Sequence, residues 1–298
     1  MLASSYKQCT LCPRECKADR TVSVGFCGMG DRIYAARAMI HMSEEPCISG
    51  KRGSGAVFFS GCVLKCKFCQ NSVISHGKYG KEISGDRLAQ IFLELQSKGV
   101  HNINLVSGTQ FYPSILESLD RVKDKLNIPV VWNTGGYEKI EAVDSLSEYC
   151  SIFLQDMKFY SSSVSFDYAL CRDYYSRAIV ALERMTENIG APVYNNEKVL
   201  QRGVVMRHLV LPSHRKDSIQ LLKDIKDKVG TQNVVLSLMS QYTPPKVPTG
   251  FSSLDRRLTD FEYKSVCDAA LELGFEGYFQ GRDSATDTYT PDFDLEGI

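Results

Sequence analysis

The amino-acid sequence lacks an excess of charge of either sign. Lysine and arginine together number 35, aspartate and glutamate also number 35, and the formal net charge at pH 7 is therefore zero. Proteins that bind nucleic acid carry a basic patch, because much of their affinity comes from contacts with phosphates. The balance therefore predicts no nucleic-acid partner, and the absence of a basic amphipathic run predicts no binding to an anionic membrane surface.

Long apolar segments are missing as well. No apolar run approaches the roughly 18 residues that a membrane-spanning helix needs. Residues 1–9 contain no apolar stretch of the kind found in secretory signals. We therefore expect a cytoplasmic protein that does not enter a membrane.

Cysteine, in contrast, is abundant, with 11 residues in a chain of 298. In a reducing compartment, clustered cysteines indicate metal binding or catalysis more than disulfides. Most of them cluster near the start of the chain, at Cys9, Cys12, Cys16, Cys27, Cys47, Cys62, Cys66 and Cys69. The scattered Cys150, Cys171 and Cys267 are interpreted as small buried hydrophobic residues.

From residue 54 onward, short apolar runs alternate with helical stretches. The predicted strands are 56–59, 103–106, 129–132, 152–154, 204–210, 234–239 and 275–279. The predicted helices are 86–98, 114–125, 138–148, 168–187, 216–228 and 260–273. Apolar strands that alternate with helices are typical of parallel βαβ units. Six or seven such units predict an α/β fold over residues 54–298, a full TIM barrel or a partial one of the (βα)6 type. Residues 1–53 are predicted to form an irregular cysteine-rich extension that caps it.

One cysteine group has a compact spacing. Cys62, Cys66 and Cys69 form a C-x3-C-x2-C motif, with the aromatic residue Phe68 before the last cysteine. Three thiolates in a tight loop can face one [4Fe–4S] cluster, and the iron without a fourth cysteine is then open to another ligand. A zinc knuckle or a group of buried thiols is the alternative interpretation.

This motif, directly after the first predicted strand, resembles that of the radical S-adenosylmethionine (SAM) superfamily. The wider sequence is similar to a branch related to pyruvate formate-lyase activating enzyme, in the stretches Cys9-x2-Cys12-Pro13-Arg14-x-Cys16, Glu44-Glu45-Pro46 and Gly53 to Cys62. The resemblance extends over nearly the whole chain. It implies the radical SAM form of the partial barrel, a [4Fe–4S] cluster and SAM as cofactors, and reductive cleavage of SAM to a 5′-deoxyadenosyl radical that abstracts hydrogen.

The resemblance also implies partners. These are a low-potential electron donor of the flavodoxin or ferredoxin type and a glycyl radical enzyme as the protein to be activated. Radical modification of a peptide or small molecule is an alternative. A zinc-stabilised interaction module without catalysis is the competing hypothesis from another class.

Polar residues follow the predicted strands at their C-terminal ends, where the active sites of βα barrels lie. They are Ser107, Gly108 and Thr109 after the second strand, Asn133 after the third, Asp156 and Lys158 after the fourth, and Gln241 after the sixth. Arg207 lies within the fifth strand, where a guanidinium needs an anion or other acceptors. A structural ion pair is the alternative to a role near the cofactor. We expect these residues, with Phe68, to bind the cofactor.

By resemblance, several of these residues acquire specific roles. Lys158 is expected to bind the SAM carboxylate and Asp156 a ribose hydroxyl, because Asp156-Met157-Lys158 is similar to the Asp-Leu-Lys of the activating enzymes. Ser107-Gly108-Thr109 stands where the superfamily usually has Gly-Gly-Glu, and Gln241 stands where the activators have a histidine.

Four further cysteines, Cys9, Cys12, Cys16 and Cys27, lie within nineteen residues of one another. Four thiolates at such spacing can bind a second cluster or a zinc ion. The alternative is a structural cap without metal.

Overall fold

The computed structural model describes residues 2–77, 79–246, 249–281 and 291–298. Its strands are β1 (Ile33–His41), β2 (Ser54–Phe59), β3 (Lys81–Ile83), β4 (Ile103–Val106), β5 (Val130–Thr134), β6 (Ile152–Asp156), β7 (Val193–Tyr194), β8 (Leu200–Leu209), β9 (Val235–Met239) and β10 (Gly277–Phe279). Its α-helices are α1 (Leu2–Lys7), α2 (Pro46–Ser49), α3 (Ser72–Ser75), α4 (Gly85–Ser97), α5 (Tyr112–Asp120), α6 (Ile140–Ser147), α7 (Ser162–Ala169), α8 (Tyr174–Ile189), α9 (Arg215–Lys228) and α10 (Asp260–Glu272).

One sheet organises the molecule, with the strand order β10-β9-β8-β6-β5-β4-β2-β1-β3 and with β7 paired to β8. From β10 to β2 every neighbouring pair is parallel, and β1 joins β2 and β3 in antiparallel pairs. The edge strands β10 and β3 do not pair with each other in the described part of the chain, so the sheet stays open. The predicted partial α/β barrel is confirmed.

Apolar burial explains this arrangement. Every residue of β2, β4 and β5 is buried, as expected for strands that are covered on both faces. The connecting helices bury one stripe each. In α8, for example, Ile179, Leu182 and Met185 recur at helical spacing and face the core. Burying one such side chain fully contributes roughly 1.5–3 kcal/mol to stability.

Two local expectations were wrong. Residues 168–187 form parts of two helices rather than one, because Leu170 ends α7 in the left-handed conformation, with φ 53° and ψ 40°. In the segment expected to be irregular, Ile33–His41 is a strand. The alternation of buried and less buried residues expected of a strand is interrupted here, because Ala35 and Ala36 are both buried. The register with β2 shifts between Ala35 and Arg37, as at a β-bulge.

The short helix α2 closes the N-terminal end of the barrel. Its residues Cys47 and Ile48 are fully buried and pack against Val131, Ile152, Leu154, Leu200, Val205 and Val235. Most of these lie near the starts of their strands. Glu44 and Glu45, directly before α2, are therefore held inside the barrel. None of the described helices is both long and apolar enough to cross a membrane.

Candidate active site

A cavity of about 720 Å³ opens at the C-terminal ends of the parallel strands. Its lining includes Phe59 of β2, Val106 of β4, Thr134 of β5, Asp156 of β6, Leu209 of β8, Met239 of β9 and Phe279 of β10. The C-terminal ends of these seven strands therefore line one cavity. Small-molecule sites typically have such a concave form and a size of roughly 300–1,000 Å³.

The loop after β2 brings the cysteine triplet to this cavity. Cys62, Cys66 and Cys69 all line it. Gly61 starts the loop at φ 78°, where an added Cβ would meet Met29, so glycine is required there. The backbone N–H of Leu64 donates to Cys62 Sγ at 3.4 Å, and the Ser75 hydroxyl donates to Cys69 Sγ at 3.3 Å. These contacts orient two of the thiols without occupying their remaining lone pairs.

The electrostatics of the thiols fit a positively charged metal group. Burial raises the pKa of Cys62 to about 11 and that of Cys66 further above its ordinary range, while Lys158 acts in the opposite direction on both. Thiolates in such a place need a bound cation for stability. Among the described lining residues there is no fourth cysteine. The donor set therefore fits a [4Fe–4S] cluster that is held by three cysteines.

Across the cavity, Arg207 joins the ends of three strands. Its Nε donates to Asp156 Oδ1 at 2.7 Å, one terminal nitrogen donates to Asn133 Oδ1 at 2.6 Å, and the other lies 3.2 Å from Glu44 Oε2. Lys158 forms an ion pair with the second oxygen of Asp156. Burial alone would raise the pKa of Asp156, but Arg207 and Lys158 outweigh it and hold that pKa below its ordinary value. The structure brings together these predicted residues as one charged network.

Of the three residues that follow β4, one lines the cavity and two pack in the core. Ser107 lines the cavity at φ 58°. Gly108 packs so closely on Trp132 that a Cβ would meet the ring at 2.9 Å. The buried Thr109 donates to Glu138 Oε1 at 2.6 Å. Among the described lining residues, Ser107 is thus the member of the predicted Ser-Gly-Thr motif that faces the cavity.

Glu138 holds the exits of two strands together. Its Oε1 accepts hydrogen bonds from Thr109 and Thr134, each at 2.6 Å, and from Trp132 Nε1 at 3.2 Å. Burial raises the pKa of this carboxyl, and the three hydrogen bonds oppose that shift.

The remaining predicted cofactor residues, Phe68 and Gln241, both line the cavity. The Phe68 ring lies 6.0 to 6.5 Å from those of Phe159, Tyr168 and Tyr242, an aromatic cluster beneath the cysteine loop. Gln241 Oε1 accepts a hydrogen bond from Gln280 Nε2 at 2.7 Å.

Sequence reasoning missed Glu44 and Glu45 as site residues, although both line the cavity. Glu44 Oε1 accepts hydrogen bonds from Asn104 at 3.1 Å and from Asn133 at 3.2 Å. Both glutamates belong to the segment expected to be an irregular extension, outside the barrel strands. The signal available was the Glu-Glu-Pro string, which the family resemblance already included.

The four N-terminal cysteines gather elsewhere, around Arg20 and Gly25. Arg20 donates to Cys9 Sγ at 3.6 Å. An added Cβ on Gly25 would lie 3.3 Å from Cys16 Sγ and 3.5 Å from Cys27 Sγ, so these two sulfurs are near neighbours. Cys12 is buried close by. In the described part of the chain, no group of three or more His, Cys, Asp or Glu side chains is arranged to hold a single metal ion, and this applies to these four cysteines as well as to Cys62, Cys66 and Cys69.

Comparison with known proteins agrees with the fold and the cysteine loop. Residues 56–189 match the radical SAM superfamily. The matched segment, which contains the Cys62, Cys66 and Cys69 loop, is similar to the domain of that superfamily, whose members use a [4Fe–4S] cluster and SAM. The two cofactors predicted from the sequence are confirmed at the level of the family, whereas the relation to pyruvate formate-lyase activating enzyme stays a prediction.

One curated protein and two solved structures illustrate what this chain is similar to. The uncharacterized protein MJ0674 of Methanocaldococcus jannaschii is 29% identical over 276 residues, which cover 90% of this chain and 74% of that protein. SuiB of Streptococcus suis, in a crystal structure bound to S-adenosylmethionine, has a TM-score of 0.51 at 14% identity, with 74% of this chain and 48% of SuiB covered.

The FeFe-hydrogenase maturase HydG from Carboxydothermus hydrogenoformans has a TM-score of 0.51 at 15% identity, with 79% of this chain and 56% of HydG covered. The chain therefore spans about half the length of these two solved structures. At such identities the likeness concerns the fold alone.

Proposed function

We propose that this chain is an enzyme that binds a [4Fe–4S] cluster through Cys62, Cys66 and Cys69 and cleaves SAM reductively in the adjoining cavity. The observation that carries the proposal is the opening of the three thiols and the Asp156–Lys158–Arg207 network into one chamber. When bound, the cluster supplies an electron to the SAM sulfonium, which yields methionine and a 5′-deoxyadenosyl radical that abstracts hydrogen.

The protein's own residues bind and orient SAM. Lys158 is proposed to donate to the SAM carboxylate, while Asp156 holds the Lys158 ammonium by an ion pair. Asn133, Ser107 and Gln241 supply further polar groups to the lining of the cavity. The aromatic cluster around Phe68 excludes water beneath the loop, which protects a reactive intermediate.

The hydrogen donor is proposed from resemblance. The similarity to activating enzymes favours a glycyl radical enzyme as substrate, with a flavodoxin or ferredoxin as the electron donor. A peptide is the second candidate, because Thr109 and Gln241 depart from the activators' motifs. It is also supported by SuiB, which has been crystallised bound to its precursor peptide SuiA, at a TM-score of 0.50 and 14% identity.

Anaerobic reconstitution tests the chemistry. We expect a brown protein with iron and sulfide that forms 5′-deoxyadenosine when it is reduced in the presence of SAM. Cys66→Ala should abolish this product, because two cysteines do not retain a cubane cluster well.

Cys267→Ala provides the matched control, since Cys267 lies in α10 and does not line the cavity. It should form 5′-deoxyadenosine at the wild-type rate. Undiminished product in Cys66→Ala would contradict the proposal. A colourless wild-type protein with zinc would instead support the non-catalytic interaction module.

A further inference from the structure

The inner part of the cavity contains a carboxylate oxygen without a hydrogen-bond donor. Glu45 lines the cavity, is only 9% exposed, and its Oε2 atom has no partner among the described residues. A buried carboxylate oxygen that accepts no hydrogen bond is costly, and such an atom typically marks the place of a bound ligand or a functional role. The Glu45 side chain therefore needs an explanation beyond folding.

The backbone of Glu45 is fixed by the start of α2. Its carbonyl oxygen accepts hydrogen bonds from the N–H groups of Ile48 at 2.7 Å and Ser49 at 3.0 Å. The side chain makes no capping hydrogen bond to the helix. Since Cys47 and Ile48 anchor α2 in the core, Glu45 is held rigidly with its carboxylate in the cavity wall.

The charge of Arg207 attracts Glu45 through space, but none of the hydrogen bonds of Arg207 goes to Glu45. The three nitrogens of the Arg207 guanidinium contact Asp156, Asn133 and Glu44, and Lys158 is paired with Asp156. The described lining contains three carboxyl groups against the two cations Lys158 and Arg207, so one carboxyl group has no cation of its own, and burial raises the pKa of Glu44 and Glu45. A bound cation would hold this further carboxyl group in its ionised form. Burial lowers the pKa of His41, which also lines the cavity, so it does not supply the missing charge.

The position of Glu45 separates it from the cysteine loop. Its carboxyl group lies beside Ser237 of β9, and its charge acts on Tyr278 of β10. The cysteine loop follows β2, and four strands lie between β2 and β9 in the sheet order. The cysteine loop contacts the segment after β9, where Gln70 Nε2 lies 3.5 Å from the Gln241 carbonyl oxygen, whereas Ser237 lies in the middle of β9, so Glu45 lies further inside the barrel than that contact.

We propose that Glu45 binds a cationic nitrogen of the substrate, a primary ammonium or a guanidinium group. This inference rests on the proposed function, because it assigns substrate chemistry to the same cavity. The aromatic residues Phe58, Tyr278 and Phe279 share the lining, and aromatic rings attract cations. SAM also carries an ammonium group, so the experiment must separate the two sources.

The first measurement uses the cluster-loaded protein under anaerobic conditions and two cationic probes, n-butylammonium and agmatine. Calorimetric titration should show binding to the wild-type protein, with an affinity at least about tenfold weaker in Glu45→Gln, because a charge-assisted hydrogen bond is lost. The neutral probe n-butanol should not distinguish the two proteins. Equal affinity of wild type and variant for both amines, or no binding of either amine, would overturn the assignment.

Glu44→Gln is the matched variant one residue away. Glu44 is saturated by Arg207, Asn104 and Asn133, so its replacement should lower the melting temperature. Glu45→Gln should raise the melting temperature of the ligand-free protein, because it removes a buried charge without a donor. A decrease in both variants would mean that Glu45 has a partner within the chain.

SAM titration completes the test. We expect the same dissociation constant for SAM in the wild type and in Glu45→Gln. A tenfold weaker binding of SAM in the variant would assign Glu45 to the ammonium group of SAM and overturn its role toward substrate. Failure of the proposed function is seen separately, as a wild-type protein without iron and without 5′-deoxyadenosine formation.

Discussion

Lys158 interacts with two groups in the site, the Asp156 carboxylate and the thiols of the cysteine loop. It is paired with Asp156, and its charge opposes the rise in the pKa of Cys62 and Cys66. We expect Lys158→Ala to weaken SAM binding about tenfold or more while the cluster is retained, because a charge-assisted hydrogen bond contributes roughly 1.5–3 kcal/mol. SAM titration monitored by the visible spectrum of the cluster measures both properties.

Lys67→Ala is the control for this substitution. Lys67 lies on the same loop, but its exposed side chain packs on Phe251 and does not line the cavity. Its replacement should leave SAM affinity unchanged. Wild-type affinity in Lys158→Ala would show that Lys158 does not contact SAM.

Glu138 gives a prediction about pH. Burial raises its pKa above the ordinary value of 4.5, so the folded protein binds more protons than the unfolded chain between the two pKa values. Stability from this group is complete below pH 4.5 and declines as the pH rises toward the folded-state pKa. We expect the free energy of unfolding of the wild type, relative to Glu138→Gln, to fall as the pH rises from 4.5.

Urea unfolding of both proteins across this pH range measures the difference. Comparison with the variant is necessary because burial also raises the pKa of Glu44 and Glu45. Parallel stability curves would show that Glu138 titrates alike in the folded and unfolded states.

At the scale of elements, the N-terminal extension poses a separate question. Between α1 and β1 the chain forms neither helix nor strand. The buried Arg20 guanidinium donates to the carbonyl oxygens of Met29 and Gly30 within this segment and of Gln110 outside it. So short an irregular segment buries little core of its own, and metal binding often supplies folding energy in such cases. We predict that Cys9, Cys12, Cys16 and Cys27 bind one zinc ion or one further cluster.

Metal analysis of a variant with Cys62, Cys66 and Cys69 all replaced by alanine isolates this site. About one zinc ion or one cluster per chain should remain. A folded variant that contains neither would identify the extension as a structural cap, with Arg20 rather than metal as its anchor.

At the scale of the whole molecule, the sequence predicted what local patterns determine. Apolar runs with intervening helices specify parallel strands, and the ends of such strands must meet at one edge, so Asn133, Asp156 and Gln241 share a cavity. Contacts between distant segments were not predictable. Glu44 and Arg207 are 163 residues apart in the sequence but are in contact, because α2 places Glu44 inside the barrel. No local hydrophobic pattern in the sequence indicates where α2 packs.

Thr109 shows a second limit of the sequence pattern. The motif placed it in the cofactor site, but the left-handed turn at Ser107 directs the Thr109 hydroxyl to Glu138 in the core. Sequence spacing assigns a residue to the end of a strand, whereas the turn conformation decides which side of the sheet it faces.

Ligand binding should stabilise the whole open barrel, because the proposed SAM site joins the loop after β2 to residues of β6 and β8. A ligand that binds only the folded state at a hundredfold excess over its dissociation constant adds about 2.7 kcal/mol. For a chain of this length that corresponds to a rise in melting temperature on the order of 5 °C. Anaerobic calorimetry of the cluster-loaded protein with and without SAM measures it. The variant without Cys62, Cys66 and Cys69 should show a much smaller rise, since it lacks the cluster that the cysteine loop would hold. An equal rise would mean that SAM binds independently of the cysteine loop.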